Sequence, residues 1–129
     1  MDDSATSDRA RAERERAARE RLVELGPGRL DPRPWQPHPV PPSAVDLIQA
    51  FLWWSGRHPA ADPAQRDGAV AALELLAAAR AELDQLETGL LFTGRALDLT
   101  WAQMARAMGL NSPQACQQRL DRLQARTRP

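Results

Sequence analysis

The chain has 129 residues, a length that accommodates one compact domain with additional segments. All 17 basic residues are arginine and they balance 17 acids, while 43% of the residues are hydrophobic, with two Phe, four Trp and no Tyr. A core built from Leu and Ala favours helix over strand, and the single cysteine excludes an internal disulfide and a cysteine zinc cage. We therefore expect an all-α helical bundle, cytoplasmic, without a membrane-spanning segment.

The charge is distributed unevenly along the chain. Residues 1–45 hold eight Arg and eight acids, 46–87 hold three Arg and seven acids, and 88–129 hold six Arg and two acids. The basic excess therefore lies in the last third, where a polyanion would bind.

Residues 1–25 form a charged arm in which Arg and Glu lie one helical turn apart, as in Glu15 and Arg19. Only Leu22, Val23 and Leu25 offer apolar side chains for burial, so we expect a frayed helix or a disordered arm. Its balanced charge favours a solvated segment over one that touches DNA.

Residues 26–43 form a proline-rich linker, and each proline favours extended backbone. Trp35 within it is either a ligand for the aromatic groove of a partner or an anchor on the protein's own surface. We expect a protein partner, if one binds, to use this linker or the N-terminal arm. The seven prolines are Pro27, Pro32, Pro34, Pro37, Pro39, Pro41 and Pro42.

Residues 44–97 are expected to form a helical scaffold that also mediates dimerisation. Ser43 is a typical cap for the helix AVDLIQAFLWWSG, and Asp62 with Pro63 opens a long helix in which Gly89 and Gly94 allow a bend near residues 87–89. A heptad-type seam follows, which fits a dimeric coiled coil or intramolecular packing equally well. Its members are Ala72, Leu76, Ala79, Leu83, Leu86 and Leu90.

We expect a homodimer because a monomer of about 85 ordered residues can bury one of the two apolar regions but has little surface left with which to cover both. The helix containing LIQAFLWW is the expected interface, since Phe51, Trp53 and Trp54 bury more area than the alanines of the seam.

Residues 98–129 match the pattern of a helix-turn-helix. Thr100 and Gln103 form a capping box, Gly109 supplies the turn, and Ser112 with Pro113 starts a second helix. On that second helix Cys116, Leu120 and Leu123 share one apolar face. We interpret the pattern as a helix-turn-helix rather than an ordinary helical hairpin.

The outward face of the second helix then predicts binding to double-stranded DNA. Gln side chains pair with adenine in the major groove, and Arg side chains contact guanine or phosphate. The helix that starts near Ser112 is expected to enter the groove. The predicted DNA-binding residues are Arg106, Asn111, Ser112, Gln114, Gln117, Gln118, Arg119, Arg122 and Arg126.

No pattern in the sequence indicates an enzyme, a metal site or a cofactor. His38 and His58 lie in proline-bearing loops without triad partners, and Cys116 falls on the apolar face of its helix. The GPG at 26–28 is typical of a turn rather than a phosphate-binding loop.

Residues 68–126 resemble small actinobacterial helix-turn-helix proteins, some of them labelled transcriptional regulators of a small heat-shock protein. The similar segments are LETGLL, TWAQMARAMGL and SPQACQQRL. In such proteins the second helix usually opens with Ser-Arg-Gln-Ala-Ala, which Ser112, Gln114 and Ala115 match, whereas Pro113 stands at the usual Arg. The family also often carries an aromatic residue at the position of Leu120. The resemblance implies DNA binding.

We therefore expect a transcriptional regulator or nucleoid-associated protein. The alternatives are a protein-interaction module that binds a transcription component, and a structural subunit that self-assembles. Neutral total charge and Pro113 favour the first alternative.

Overall fold

The computed structural model describes residues 2–26, 30, 31, 34, 42–58 and 62–127. Within these ranges the fold is all-α, as expected, and contains no strand. No helix in this described part is long and apolar enough to cross a membrane. Most of the predicted proline-rich linker, including Trp35 and His38, lies outside the described residues. The helices are α1 (Asp2–Glu24), α2 (Ala44–Gly56), α3 (Pro63–Glu74), α4 (Leu76–Ala96), α5 (Trp101–Ala107) and α6 (Pro113–Thr127).

The chain divides into two compact units, residues 1–82 and 83–129. The sequence predicts that the C-terminal segment starts at residue 98, but the second unit also contains the last part of α4. The reason is that Leu91 of α4 is buried, 3% exposed, in the same core as Met104, Cys116 and Leu120.

Helix α1 is part of the core of the first unit. Ala18 and Leu22, one turn apart, are 2% and 0% exposed and pack with Leu47 and Leu75. This differs from the expected frayed or disordered arm. Two apolar residues on one face anchor the helix, because α2 and α3 supply the surface that covers them.

The starts of α2 and α3 follow the predicted caps. Ser43 Oγ accepts a hydrogen bond from the Asp46 N–H at 3.0 Å, and Asp62 Oδ1 accepts one from the Gln65 N–H at 2.7 Å. Both side chains satisfy N–H groups that the first helical turn leaves unpaired.

The expected long helix is interrupted at Leu75 rather than near residues 87–89. Leu75 keeps right-handed dihedrals (φ −83°, ψ −6°), and its N–H bonds to the carbonyls of Ala71 and Ala72. Its side chain is fully buried. Helix α4 then continues without a break through Gly89.

Glu82 of α4 caps α2 from a distance in sequence. Its carboxylate accepts hydrogen bonds from the N–H groups of Ala44 and Val45 at 2.6 and 3.3 Å, and it pairs with Arg19 of α1 at 3.5 Å. Arg19 also donates to the carbonyl of Pro42. One carboxylate therefore connects three helices of the first unit.

Candidate nucleic-acid interface

Helix α5 and the turn after it have the geometry that the sequence predicts. Thr100 Oγ1 accepts a hydrogen bond from the Gln103 N–H at 3.0 Å, and Gln103 Oε1 accepts one from the Thr100 N–H at 2.7 Å. At the other end Gly109 has φ +72°, and the Leu110 N–H donates to the Ala105 carbonyl at 2.8 Å. This is a Schellman motif, and it fixes the direction in which the chain leaves α5.

Helix α6 is capped at its start and anchored along one face. Ser112 Oγ accepts a hydrogen bond from the Ala115 N–H at 3.1 Å, directly before Pro113. Cys116, Leu120 and Leu123 are buried against the core of the second unit. Because these three residues fix the rotation of α6, the residues that face solvent are also fixed.

The solvent face of α6 carries the predicted amides. Gln114, Gln117, Gln118 and Arg122 are all exposed, together with Asp121. Gln114, Gln118 and Arg122 are four residues apart and form one row on the side opposite the buried residues. Each amide offers a donor and an acceptor, the pair that recognises an adenine edge.

Three predicted residues border this face. Asn111 is exposed and Ser112 is half-buried in the turn that leads into α6. Arg106 is exposed on α5. The structure therefore leaves Arg106 and Asn111 accessible to a ligand, whereas the hydroxyl of Ser112 is used as the helix cap.

Arg119 and Arg126 lie on a different side of α6 from the glutamine row. Arg119 Nε donates to Glu87 Oε1 at 2.5 Å, and Arg126 Nη1 donates to Asp84 Oδ2 at 3.1 Å. Both acids belong to α4. The sequence predicts both arginines as DNA contacts, whereas in the structure their positive charge is paired within the second unit.

The remaining cations of α5 and α6 are Arg106 and Arg122. Among the residues that the structure describes, neither forms an ion pair. Near the end of α4, Arg95 lies over the ring of Trp101 at 5.2 Å and donates to the Leu99 carbonyl at 2.9 Å. Arg106 and Arg122 are therefore the arginines of the described part of α5 and α6 that form no ion pair, although Arg122 lines the same small pocket as Glu87.

The acidic partners of Arg119 and Arg126 are not predictable from the sequence. Asp84 and Glu87 are three residues apart on α4 and more than 30 residues from the arginines in the chain, so no local pattern connects them. The acids are one helical turn apart on α4 and the arginines are two turns apart on α6, so their spacing does not indicate the pairs either.

Cys116 and His58 are the cysteine and the histidine in the described part of the chain, and each contacts a neighbouring residue of its own unit. The thiol of Cys116 is fully buried, 3.9 Å from Met108 Sδ. Burial raises the pKa of the Cys116 thiol, and the nearby Glu87 carboxylate raises it further. His58 is exposed, with Nδ1 2.8 Å from the Trp54 carbonyl. No group of three His, Cys, Asp or Glu in these ranges is arranged to hold a metal ion.

Comparison with protein-family models, with curated proteins and with solved structures gives no match for this chain.

Proposed function

We propose that this protein binds double-stranded DNA through a helix-turn-helix formed by α5, the turn at Gly109 and α6. The observation that carries the proposal is the row of Gln114, Gln118 and Arg122 on the exposed face of a capped helix. A helix whose opposite face is buried presents such a row rigidly, and rigid presentation is what recognition of base edges needs.

The dimensions of α6 suit a major groove. Its 15 residues extend for roughly 22 Å, and Gln114 and Gln118 are separated by roughly 6 Å along the axis. Successive bases on one strand are about 3.4 Å apart. The two amides therefore reach bases about two steps apart, with Arg122 one further turn along the row.

Residues at the edges of this face are expected to contact the DNA phosphates. Arg106 lies on α5 and Arg122 on α6, and both are exposed. Asn111 precedes the start of α6, where the helix dipole also favours a phosphate. Arg119 and Arg126 serve a different purpose, because their ion pairs attach α6 to α4.

The resemblance of residues 68–126 to actinobacterial helix-turn-helix regulators supports a role in transcription control or nucleoid organisation. Pro113 replaces the arginine usual in those proteins, so the N-terminal turn of α6 offers one cation fewer. We expect the glutamine row to supply more of the discrimination between sequences as a result.

A protein-interaction module is the second candidate function. It is favoured by the pairing of Arg119 and Arg126, which reduces the free positive charge, and by exposed leucines on α4. A module of this kind would bind a transcription component without requiring DNA.

Fluorescence anisotropy with labelled duplexes separates the two functions. We expect the wild-type chain to bind a random duplex at about 50 mM salt, because non-specific binding is electrostatic. The Gln114→Ala, Gln118→Ala double variant should change the sequences selected from a randomised duplex pool. Gln49→Ala is the matched control, since Gln49 is an exposed glutamine on α2. Absence of binding at this salt concentration contradicts the proposal and favours the interaction module.

A further inference from the structure

A row of exposed leucines runs along α4 in the second unit. Leu83, Leu86 and Leu90 are 62%, 65% and 72% exposed, and their spacing of three and four residues puts them on one edge of the helix. Leu91, on the adjacent face, is 3% exposed. A contiguous apolar row on a surface helix marks an interaction surface more often than scattered single residues do.

A groove of about 720 Å³ adjoins the row. Leu83, Leu86 and Leu90 form one of its walls, and Ala107 of α5 and Met108, which follows α5, belong to another. The surface therefore offers both projecting side chains and a concavity of the kind that receives them. We call the row and the groove together the leucine face.

The charges around the leucine face are already matched. Glu87 and Asp84, next to the row, are paired with Arg119 and Arg126 of α6 in the same copy. A strongly basic or acidic partner helix therefore finds no free opposite charge at this edge. An identical leucine face can approach it without repulsion between like charges.

Uncharged residues flank the other side of the row. They are Gln85, Gly89 and Thr93, all exposed and four residues apart. A Cβ atom added at Gly89 would have no neighbour within 4 Å, so packing within one copy does not require a glycine there. A glycine in mid-helix weakens the helix, but it allows the backbone of a second helix to approach closely.

From these observations we infer that the leucine face is the contact between two copies of this chain. A two-fold symmetric pair places the leucines of each copy in the groove of the other, so that the same residues occur on both sides. The spacing of Leu83, Leu86 and Leu90 is that of knobs packed into the holes of a facing helix.

The size of the leucine face indicates a dimer of moderate affinity. Residues 83–94 of α4 extend for roughly 18 Å. Such a face falls near the lower end of specific interfaces, about 1,200 Å² in total. We therefore expect a dissociation constant in the micromolar range.

Helix α2 is a weaker interface than its sequence suggests. Phe51 is 5% exposed and lies in the core of the first unit with Leu47, and Trp54 packs against that core. Leu52 and Trp53 remain exposed, but Arg57 lies over the Trp53 ring at 4.2 Å. The expectation that this helix mediates dimerisation is replaced by the leucine face.

Sedimentation equilibrium of the full chain without DNA, from low to high micromolar concentration, tests the inference. We expect the wild type to pass from monomer to dimer. The Leu86→Glu, Leu90→Glu variant should keep its helical circular dichroism and raise the dissociation constant at least a hundredfold. Leu86→Gln, Leu90→Gln provides the same test without added charge if the acidic variant does not fold.

Leu52→Glu is the matched control, because Leu52 and Leu86 are both 65% exposed on helices. It should dimerise like the wild type. A wild type that stays monomeric throughout, or row variants that dimerise as well as the wild type, overturns the inference. Loss of the dimer in Leu52→Glu alone also overturns it, in favour of α2. None of these results depends on DNA, so the proposed function is tested separately.

Discussion

Arg119 Nε of α6 donates to Glu87 Oε1 of α4 at 2.5 Å, and Arg126 and Asp84 repeat the contact two turns further along α6. Because the arginine number rises while the acid number falls, α6 and α4 run in opposite directions where they are paired. These two ion pairs attach the α6 helix to α4. Arg119 and Arg126 therefore support the fold, whereas Arg106 and Arg122 form no ion pair in the described part of the chain.

A double-mutant cycle on Arg119→Ala and Glu87→Ala should show a coupling free energy of about 0.5–1 kcal/mol. The value is modest because the Arg119 side chain is 46% exposed, although Glu87 is only 18% exposed. Urea denaturation followed by circular dichroism measures it. The cycle of Arg106→Ala with Glu87→Ala serves as the control and should show no coupling, because Arg106 of α5 is exposed and forms no ion pair with Glu87. Equal coupling in both cycles would mean that the Arg119 contact is not specific.

Leu22→Ala should destabilise the first unit by about 2–5 kcal/mol, because Leu22 is 0% exposed and its truncation leaves a cavity. Val23→Ala, at 37% exposure in the same turn, should cost less than about 1 kcal/mol. Urea denaturation at low protein concentration compares the two. Similar small losses for both variants would show that α1 is the loosely held arm expected from composition.

Asp98→Gly should stabilise the second unit by about 0.5–1 kcal/mol. Asp98 has φ +65° at the end of α4, where its N–H donates to the Arg95 carbonyl at 3.1 Å, and glycine adopts this conformation without steric cost. The reverse change at the equivalent position of α5, Gly109→Asp, should destabilise by a similar amount, since Gly109 has φ +72°. A shift of the thermal midpoint in the same direction for both would contradict this explanation.

The Cys116 thiol should react slowly with a disulfide reagent in the folded chain and rapidly in denaturant. Burial first, and then the Glu87 charge, raises the pKa of this thiol, so the folded state favours the protonated form. The stabilisation is complete below the ordinary thiol pKa and is lost as pH rises through the raised value. Cys116→Ala should remove this part of the alkaline loss of stability. Rapid labelling of the native chain at neutral pH would show instead that the thiol is accessible.

Local patterns predicted the second unit well. The capping box at Thr100, the glycine turn and the buried face of α6 each depend on residues within one or two helical turns, so their spacing determines them. The prediction of an all-α fold rests on the same short-range information.

Long-range contacts account for what the sequence analysis missed. Three contacts between different helices are of this kind: the burial of α1, the cap that Glu82 provides for α2, and the pairing of Arg119 with Glu87. In the last two, the partners are 38 and 32 positions apart in the chain. The sequence also does not show which residues of the heptad-type seam are buried and which form the exposed row on α4. Ala72 of the seam is buried and Leu90 is exposed, and the packing within each unit determines this difference.

The salt dependence of DNA binding tests the central claim most directly. We predict that the logarithm of the association constant falls linearly with the logarithm of salt concentration, because arginine contacts release phosphate counterions. Arg122→Ala and Arg106→Ala should each reduce the magnitude of the slope by about 0.9, whereas Arg119→Ala should leave it unchanged. No binding at low salt, or an affinity that does not change with salt, would contradict the proposal that this helix pair binds DNA.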